Sequence, residues 1–313
     1  MGDHVVDGLG VVVTREETTV ALYRKRLKTL QKRAARQFGR TPTLFDTIEC
    51  FALSHEAFAP ATIRQYAAAL AWAIEEALER GGLDDEGAAA CRERLAQRPA
   101  PRSRRAPPRT SARKRKAIGR PELHTVCTAL RQRGRPGDVL LLRLLVNGIT
   151  FGLRPCEFGK SDIQSQLLIV WNAKATNGRA LSETREFDLE GLADGQVDSL
   201  RTLIADLEVA ARGDIPRLID RLGARLRRIC KRLGVAPFSL YAVRHQAIAN
   251  AKASGSAEEV AAFAGHASVH TARKFYAPKG KAWAISKTAK PTPDMVARVR
   301  VPCAAGEVPR LKI

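Results

Sequence analysis

Four short segments carry side chains able to bind an anion, move a proton or attack an electrophile. In Gly148-Ile149-Thr150-Phe151-Gly152-Leu153-Arg154-Pro155-Cys156-Glu157, an arginine sits in a glycine-containing turn after an apolar run, with an acid three residues on. Lys174 lies in a polar turn after Trp171. Tyr241-Ala242-Val243-Arg244-His245 opens a helical pattern, and Gly265-His266-Ala267-Ser268 is followed, ten residues after His266, by Tyr276. Arginine is always charged and forks two N–H bonds to phosphate or carboxylate. Lysine and histidine transfer protons, and a tyrosine phenol is a nucleophile. Each segment alone has a plainer reading: an ion-paired arginine, a solvated turn lysine, a helix-ending Gly-His, a tyrosine in a core.

The elements that would hold these residues follow from periodicity and punctuation. Thr14 followed by Glu17 is a capping-box start for a basic helix running to about Phe38, which Gly39 and Pro42 end. Helices are expected over roughly 43–53, from Pro60 to Gly81-Gly82, and over 85–97, so residues 1–97 form a small helical module. The stretch 98–118 holds nine Lys/Arg, four Pro and no acid, which marks an extended basic linker. The larger region, 119–290, opens with a helix at Pro121-Glu122 and continues with one from Asp138 to about Asn147. A β-hairpin pattern follows, Leu167–Trp171 and Thr184–Leu189, around a turn containing Asn177-Gly178. Helices near 195–211, 215–233, 239–253, 256–264 and 269–276 complete it. Residues 291–313 are proline-rich, with few core positions, and read as a loose tail or an arm that docks on a neighbour.

Composition narrows the partners. The chain has 313 residues, 45% of them hydrophobic, and 53 Lys+Arg against 32 acids, a formal charge of +21. That excess favours a polyanion, and nucleic acid over a membrane, because no basic helix with a Trp/Phe/Leu face occurs. The N-terminus lacks a secretory pattern and no run nears the roughly 20 apolar residues of a membrane span. A soluble, cytoplasmic, nucleoid-associated protein is expected. Cys50, Cys91, Cys127, Cys156, Cys230 and Cys303 form no CxxC and no zinc-like spacing, so reduced thiols, no structural metal and no cofactor are expected. There is no G-x-x-x-x-G-K-[ST], no G-x-S-x-G and no acid cluster suited to two metals.

In this order the four segments resemble the tyrosine recombinase/phage-integrase family, whose catalytic domain shows G-L-R-x-x-E, a β-hairpin lysine, H-x-x-R-H, L-G-H and then a tyrosine. The resemblance covers 119–285. It implies a mainly α fold with a small β-sheet in a two-domain architecture, a helical core-binding domain plus an α+β catalytic domain, forming a C-shaped clamp on DNA. Matched residue by residue, Arg154 and Arg244 are the two catalytic arginines, Lys174 the hairpin lysine (Lys160 is a rival), His266 the Gly-His histidine and Tyr276 the nucleophile. Glu157 braces Arg154, and His245, directly after Arg244, reads as structural. Tyr241 stands where the family has histidine, and Ala264 stands where it has the leucine of L-G-H. The Arg244–His266 gap is one residue short and the His266–Tyr276 gap one long.

The physical chemistry agrees with those roles. Metal-free transfer at a phosphodiester needs cations on the non-bridging oxygens, which Arg154 and Arg244 supply. The 5′-oxygen needs a proton, and Lys174 is a suitable acid. Tyr276 conserves bond energy in a phosphotyrosine, so rejoining needs no ATP. Tyr241, with a reference pKa near 10, suits hydrogen bonding to phosphate better than base catalysis, which leaves His266, His245 or water to take the Tyr276 proton. Arg102, Arg104, Arg105, Arg109, Arg113, Lys114, Arg115 and Lys116 of the linker are expected to track DNA phosphates. The family's habits imply double-stranded DNA as substrate, a homo-tetramer on paired sites with C-terminal segment exchange from 284–313, and a possible accessory or partner recombinase, in the integration, excision or resolution of a mobile element or replicon. Two other readings remain: a catalytically weakened recombinase-fold subunit, which Tyr241 and the altered spacing support, and a type IB topoisomerase, against which the small helical module and the basic linker count.

Overall fold

A computed structural model describes residues 5–6, 12–13, 17–54, 58–97, 115–173, 181–271, 276–284 and 287–301. The chain divides into two units, Met1–Arg109 and Thr110–Ile313. Among the described residues no helix is long and apolar enough to cross a membrane.

In the first unit a short pair, β1 (Val5–Val6) and β2 (Val12–Val13), precedes α1 (Glu17–Phe38), α2 (Leu44–Ala52), α3 (Pro60–Glu79) and α4 (Asp85–Ala96). The expected cap at Thr14 lies outside the described residues. Thr43 and Asp46 cap α2 reciprocally, and Asp84 caps α4. Leu27 and Leu30 of α1 meet Ile48 and Phe51 of α2, Ile63, Leu70 and Ile74 of α3, and Cys91 and Leu95 of α4 in one apolar cluster. Each fully buried side chain of this size contributes about 1.5–3 kcal/mol.

The second unit holds α5 (Arg120–Arg133), α6 (Pro136–Phe151), β3 (Ser161–Gln164), β4 (Leu167–Trp171), β5 (Thr184–Asp188), α7 (Asp194–Ala211), α8 (Ile215–Arg232), α9 (Leu240–Ser254) and α10 (Ala257–Ala264), then β6 (Lys290–Pro291) and α11 (Pro293–Ala297). It is mainly helical, with one antiparallel sheet of order β3-β4-β5-β6. In α8, Leu218, Leu222, Leu226, Ile229 and Cys230 turn inward, while Arg217, Arg221, Arg227, Arg228, Lys231 and Arg232 are exposed. The α9 helix is buried on most sides and packs against α6 and α10. Phe151, Phe187 and Phe263 stack edge to face, joining the end of α6 to β5 and α10.

The structure departs from sequence expectation at the edges. Strand β3 was not anticipated, because Ser161-Asp162-Ile163-Gln164 has one apolar residue. It forms by pairing in register with β4, Ser161 opposite Val170. Residues 115–118, assigned to the linker, belong to the second unit: Ile118 is buried and its N–H donates to Gln246. The expectation of a loose tail from 291 does not describe 291–300. Pro291 pairs with Phe187 of β5, and the Arg300 N–H donates to the Ala267 carbonyl. Met295 and Val299 bury against Ala261 and Ala262 of α10. Residues 302–313 lie outside the described residues. The helix expected over 269–276 is helical at 269–271, and Tyr276 sits in a bend.

Met295→Ala is expected to destabilise the second unit by about 2–5 kcal/mol, the cost of emptying a buried methionine site. Chemical denaturation of the full chain checks this, and an unchanged unfolding midpoint would mean that 290–300 does not pack as described.

Candidate active site

The first segment takes its shape from the end of α6. Gly152 closes the helix with φ +60°, and a Cβ there would come within 2.3 Å of the Phe263 ring, so only glycine fits. The chain then turns back through buried Leu153, and Arg154 and Glu157 close the turn on each other. The Arg154 N–H donates to Glu157 Oε2 at 2.7 Å and its Nη1 to Oε1 at 2.5 Å. Glu157 is fully buried. Its carboxylate also accepts from Arg185 Nη2 of β5 at 2.7 Å and from the Ala173 N–H at 3.1 Å, and Arg244 Nη1 lies 3.7 Å away. A buried carboxylate is tolerated only when so paired. Burial alone would raise its pKa, but Arg185, Arg244 and Arg154 outweigh burial and hold it far below the carboxylate range. Burial disfavours the charge on Arg154, yet Glu157 more than offsets this and raises its pKa.

Ser239 caps α9 through the Ala242 N–H and so starts the helix one turn before Arg244. The Arg244 guanidinium is fully buried. It donates to the Gly152 carbonyl at 2.7 Å and the Ala264 carbonyl at 2.6 Å, which ties the α6 turn to the α10 end. Its Nε donates to the Tyr276 hydroxyl at 3.3 Å. The α10 helix, boxed at its start by Ser256 and Glu259, ends at Gly265 with φ +66°. That turn delivers His266, whose N–H donates to the Ala261 carbonyl.

Tyr276 stands where these segments meet. Its ring lies 4.8 Å from that of His245 and 5.1 Å from that of His266, and its hydroxyl is 3.4 Å from the Tyr241 hydroxyl. The following residues are pinned to α9. Lys252 Nζ donates to the Ala277 carbonyl, Gln246 to the Lys281 carbonyl, and Asn250 accepts from the Trp283 N–H. The phenols are pushed apart in acidity. Burial raises both, but for Tyr276 the charge of Arg244 and the hydrogen bonds from Tyr241 and Arg244 prevail and lower its pKa. Tyr241 is raised, by burial and by Tyr276. Burial, then Arg244, Arg154 and Arg185, bring His266 down to about 3. Burial, then Lys116, Arg244 and Lys252, bring His245 down to about 4. Both imidazoles are therefore neutral near pH 7, and no described group hydrogen-bonds their Nδ1 atoms.

Of the residues singled out from the sequence, Arg154, Glu157, Tyr241, Arg244, His245, His266 and Tyr276 come together. Lys174 lies outside the described residues, as do Arg102, Arg104, Arg105, Arg109, Arg113 and Lys114 of the linker. Lys160 is exposed at the end of a short 3₁₀ turn. Arg115 is held by Glu122 at 2.6 Å and by the Ala236 carbonyl, while Lys116 is exposed. His245, read as structural, is in ring contact with Tyr276. Sequence reasoning missed Arg185, Asn172, Gln246, Asn250 and Lys252. Arg185 left one trace: it shares the inward parity of Phe187 and Leu189 on its strand. Among the described residues no group of three or more His, Cys, Asp or Glu is placed to hold a metal ion.

No protein-family model matches the sequence, and no curated protein matches it. Solved structures do match by fold. A lambda integrase tetramer bound to a Holliday junction superposes with TM-score 0.54 at 15% identity, over 87% of this chain and 75% of that one. A lambda integrase(75-356) dimer bound to a COC′ core site superposes with TM-score 0.50 at 14% identity, over 87% of this chain and 93% of that one. The chain has the tyrosine recombinase fold.

The imidazoles make stability pH-dependent. Both folded pKa values lie below the ordinary 6.5, so the unfolded chain takes up protons first as pH falls. The stability from burying neutral His245 and His266 is intact above pH 6.5 and is lost between there and about 3–4. His266→Gln is expected to flatten this decline. Denaturant titrations at pH 7.5, 5.5 and 4.5 check it, and equal slopes for both proteins would contradict neutral burial.

Proposed function

We propose that the protein is a site-specific DNA recombinase that cleaves and rejoins DNA through a 3′-phosphotyrosine on Tyr276. The observation that carries this reading is the convergence of Arg244, Tyr241, His245 and His266 on the Tyr276 phenol, with Arg154 held beside them through Glu157. The basic excess and the exposed arginine face of α8 support a DNA backbone as the bound polyanion.

In the proposed reaction Tyr276 Oη attacks the scissile phosphorus, the Tyr276–phosphate bond forms and the P–O5′ bond breaks. Arg154 and Arg244 bind the non-bridging oxygens as charge accumulates on them. Arg244 is covered by Tyr276 in the free protein, so phosphate reaches it as the phenol moves to attack. The 5′-oxygen takes a proton from Lys174. The phenolic proton of Tyr276 leaves to solvent or to a neutral imidazole, while Tyr241 donates its hydrogen bond to the forming oxyanion. The reverse sequence, with a 5′-hydroxyl attacking the phosphotyrosine, rejoins the strand.

The biological setting fits integration, excision or resolution of a mobile element or replicon, by a homo-tetramer on paired sites. Exchange of C-terminal segments in such a tetramer requires releasing Met295 and Val299 from α10, or drawing on residues beyond them. A second reading, a weakened subunit dependent on an active partner, is favoured by Tyr241 in place of histidine.

The test is adduct formation on nicked duplexes selected by binding from a random pool, without divalent metal, read on a denaturing gel. A covalent band is expected for the wild type and none for Tyr276→Phe. Tyr241→Phe is expected to slow the reaction by roughly 100-fold or more, and Tyr241→His to restore it. Tight binding with no band would favour the weakened subunit, and a band that survives Tyr276→Phe would reject this nucleophile.

A further inference from the structure

We infer that Arg185 is a positioning residue of the site: it fixes the Glu157 carboxylate, and through it the two arginines beside Tyr276, and ties that carboxylate to the base of the β4–β5 turn. The inference rests on the functional reading for what the arginines hold. The coupling itself is a property of the fold.

Arg185 and Arg244 are the largest fully buried side chains among the described residues, and Arg185 lies on the inward parity of β5. A guanidinium cannot shed its charge, so a fully buried one must be paired. One end reaches Glu157, with Nη2 to Oε2 at 2.7 Å and Nη1 to Oε1 at 3.5 Å. The other contact is Nη1 to the Asn172 side-chain oxygen. Asn172 directly follows β4, and its side-chain amide donates to the Ser182 carbonyl at 2.8 Å while its backbone N–H donates to the Glu183 carbonyl. Arg185 therefore bridges the closed base of the turn to the carboxylate that orients Arg154. The Gly265-His266 turn lies against the same pair. A Cβ on Gly265 would come within 2.7 Å of Arg185 Nη1 and 2.8 Å of Asn172 Oδ1. The α6 turn, the end of β4, β5 and the Gly265-His266 turn thus meet on Arg185, Asn172 and Glu157, and Arg185, with its guanidinium committed to Glu157 and Asn172, acts through the carboxylate.

Two backbone amides report on the carboxylate directly, because Arg154 N–H and Ala173 N–H both donate to it. Arg185→Lys keeps the charge and loses the fork, and Asn172→Ala is the milder partner should Arg185→Lys fold poorly. In the full-length protein without DNA, both amides are expected to exchange with deuterium about tenfold faster in either variant, the loss of one charge-assisted hydrogen bond. Amides of α7 are expected to stay unchanged. In the adduct assay, either variant should slow cleavage of a phosphodiester by about 100-fold, the cost of a misplaced catalytic group. A methylphosphonate at the scissile position has lost one charged oxygen and relies less on the arginines. Cleavage of it should be nearly as fast in the variants as in the wild type, and Arg154→Ala should show the same rescue.

Unmoved amides in both variants would overturn the inference, and so would equal slowing on both substrates, the mark of a merely structural residue. A wild type that forms no adduct on either substrate, with the amides moving as expected, would sink the recombinase reading and leave the positioning role of Arg185 standing.

Discussion

The Glu157 carboxylate is buried among three guanidiniums, those of Arg154, Arg185 and Arg244, and their charges outnumber its own. Such a cluster is costly to remove from water, and it persists because further partners hold it: backbone for Arg244 and Glu157, and the Asn172 side chain for Arg185. Arg244 leans on the carbonyls of Gly152 and Ala264, and Glu157 on the amides of Arg154 and Ala173. The excess positive charge is what a phosphate would meet. The carboxylate spends part of it to fix geometry, so that guanidiniums that would otherwise repel one another sit in one arrangement before a ligand arrives.

The surrounding fold can be understood as the means of bringing distant segments to this one group. The α6 helix must stop where it does, since Gly152 leaves space for Phe263 and offers its carbonyl to Arg244. The α9 helix, buried on most sides, carries Arg244 inward, sets Tyr241 and His245 beside Tyr276, and uses Gln246, Asn250 and Lys252 to seat the chain after Tyr276. The sheet contributes Arg185 at a position where a strand in a purely structural role would hold an apolar residue. Polar groups at core positions are expected where function sets the sequence against local stability.

The helices were legible because their signals are local. The spacing of Leu218, Leu222, Leu226 and Ile229 defines one face of α8, and the Ser256/Glu259 pair announces the start of α10. Strands β3 and β6 were not legible. Polar Ser161-Asp162-Ile163-Gln164 and the proline-containing Lys290-Pro291 become strands only through their partners, β4 and β5. The seven site residues that converge were singled out through the family resemblance that their segments carry in order, with His245 read as structural. Asn172 and Arg185 were not, because their roles arise from contacts across the sheet. Arg185 could have been suspected from strand parity alone, as a charge alternating in phase with Phe187 and Leu189.

With tyrosine at 241, where the family resembled in sequence has histidine, the activation proposed for Tyr276 is redistributed rather than removed. Histidine at this position would offer one more neutral acceptor beside two that exist already. A second phenol instead shares a hydrogen bond with Tyr276, and the pair splits: the deeper arginine field lowers Tyr276, and Tyr241 is raised. Coupled groups of the same kind divide their protons in this way, the more stabilised anion forming first. The asymmetry follows from position, since Tyr276 is in direct hydrogen-bond contact with Arg244. The phenol that the arginines stabilise as an anion is then the one proposed to attack, and its neighbour, held protonated, remains a donor to whatever oxygen occupies the site.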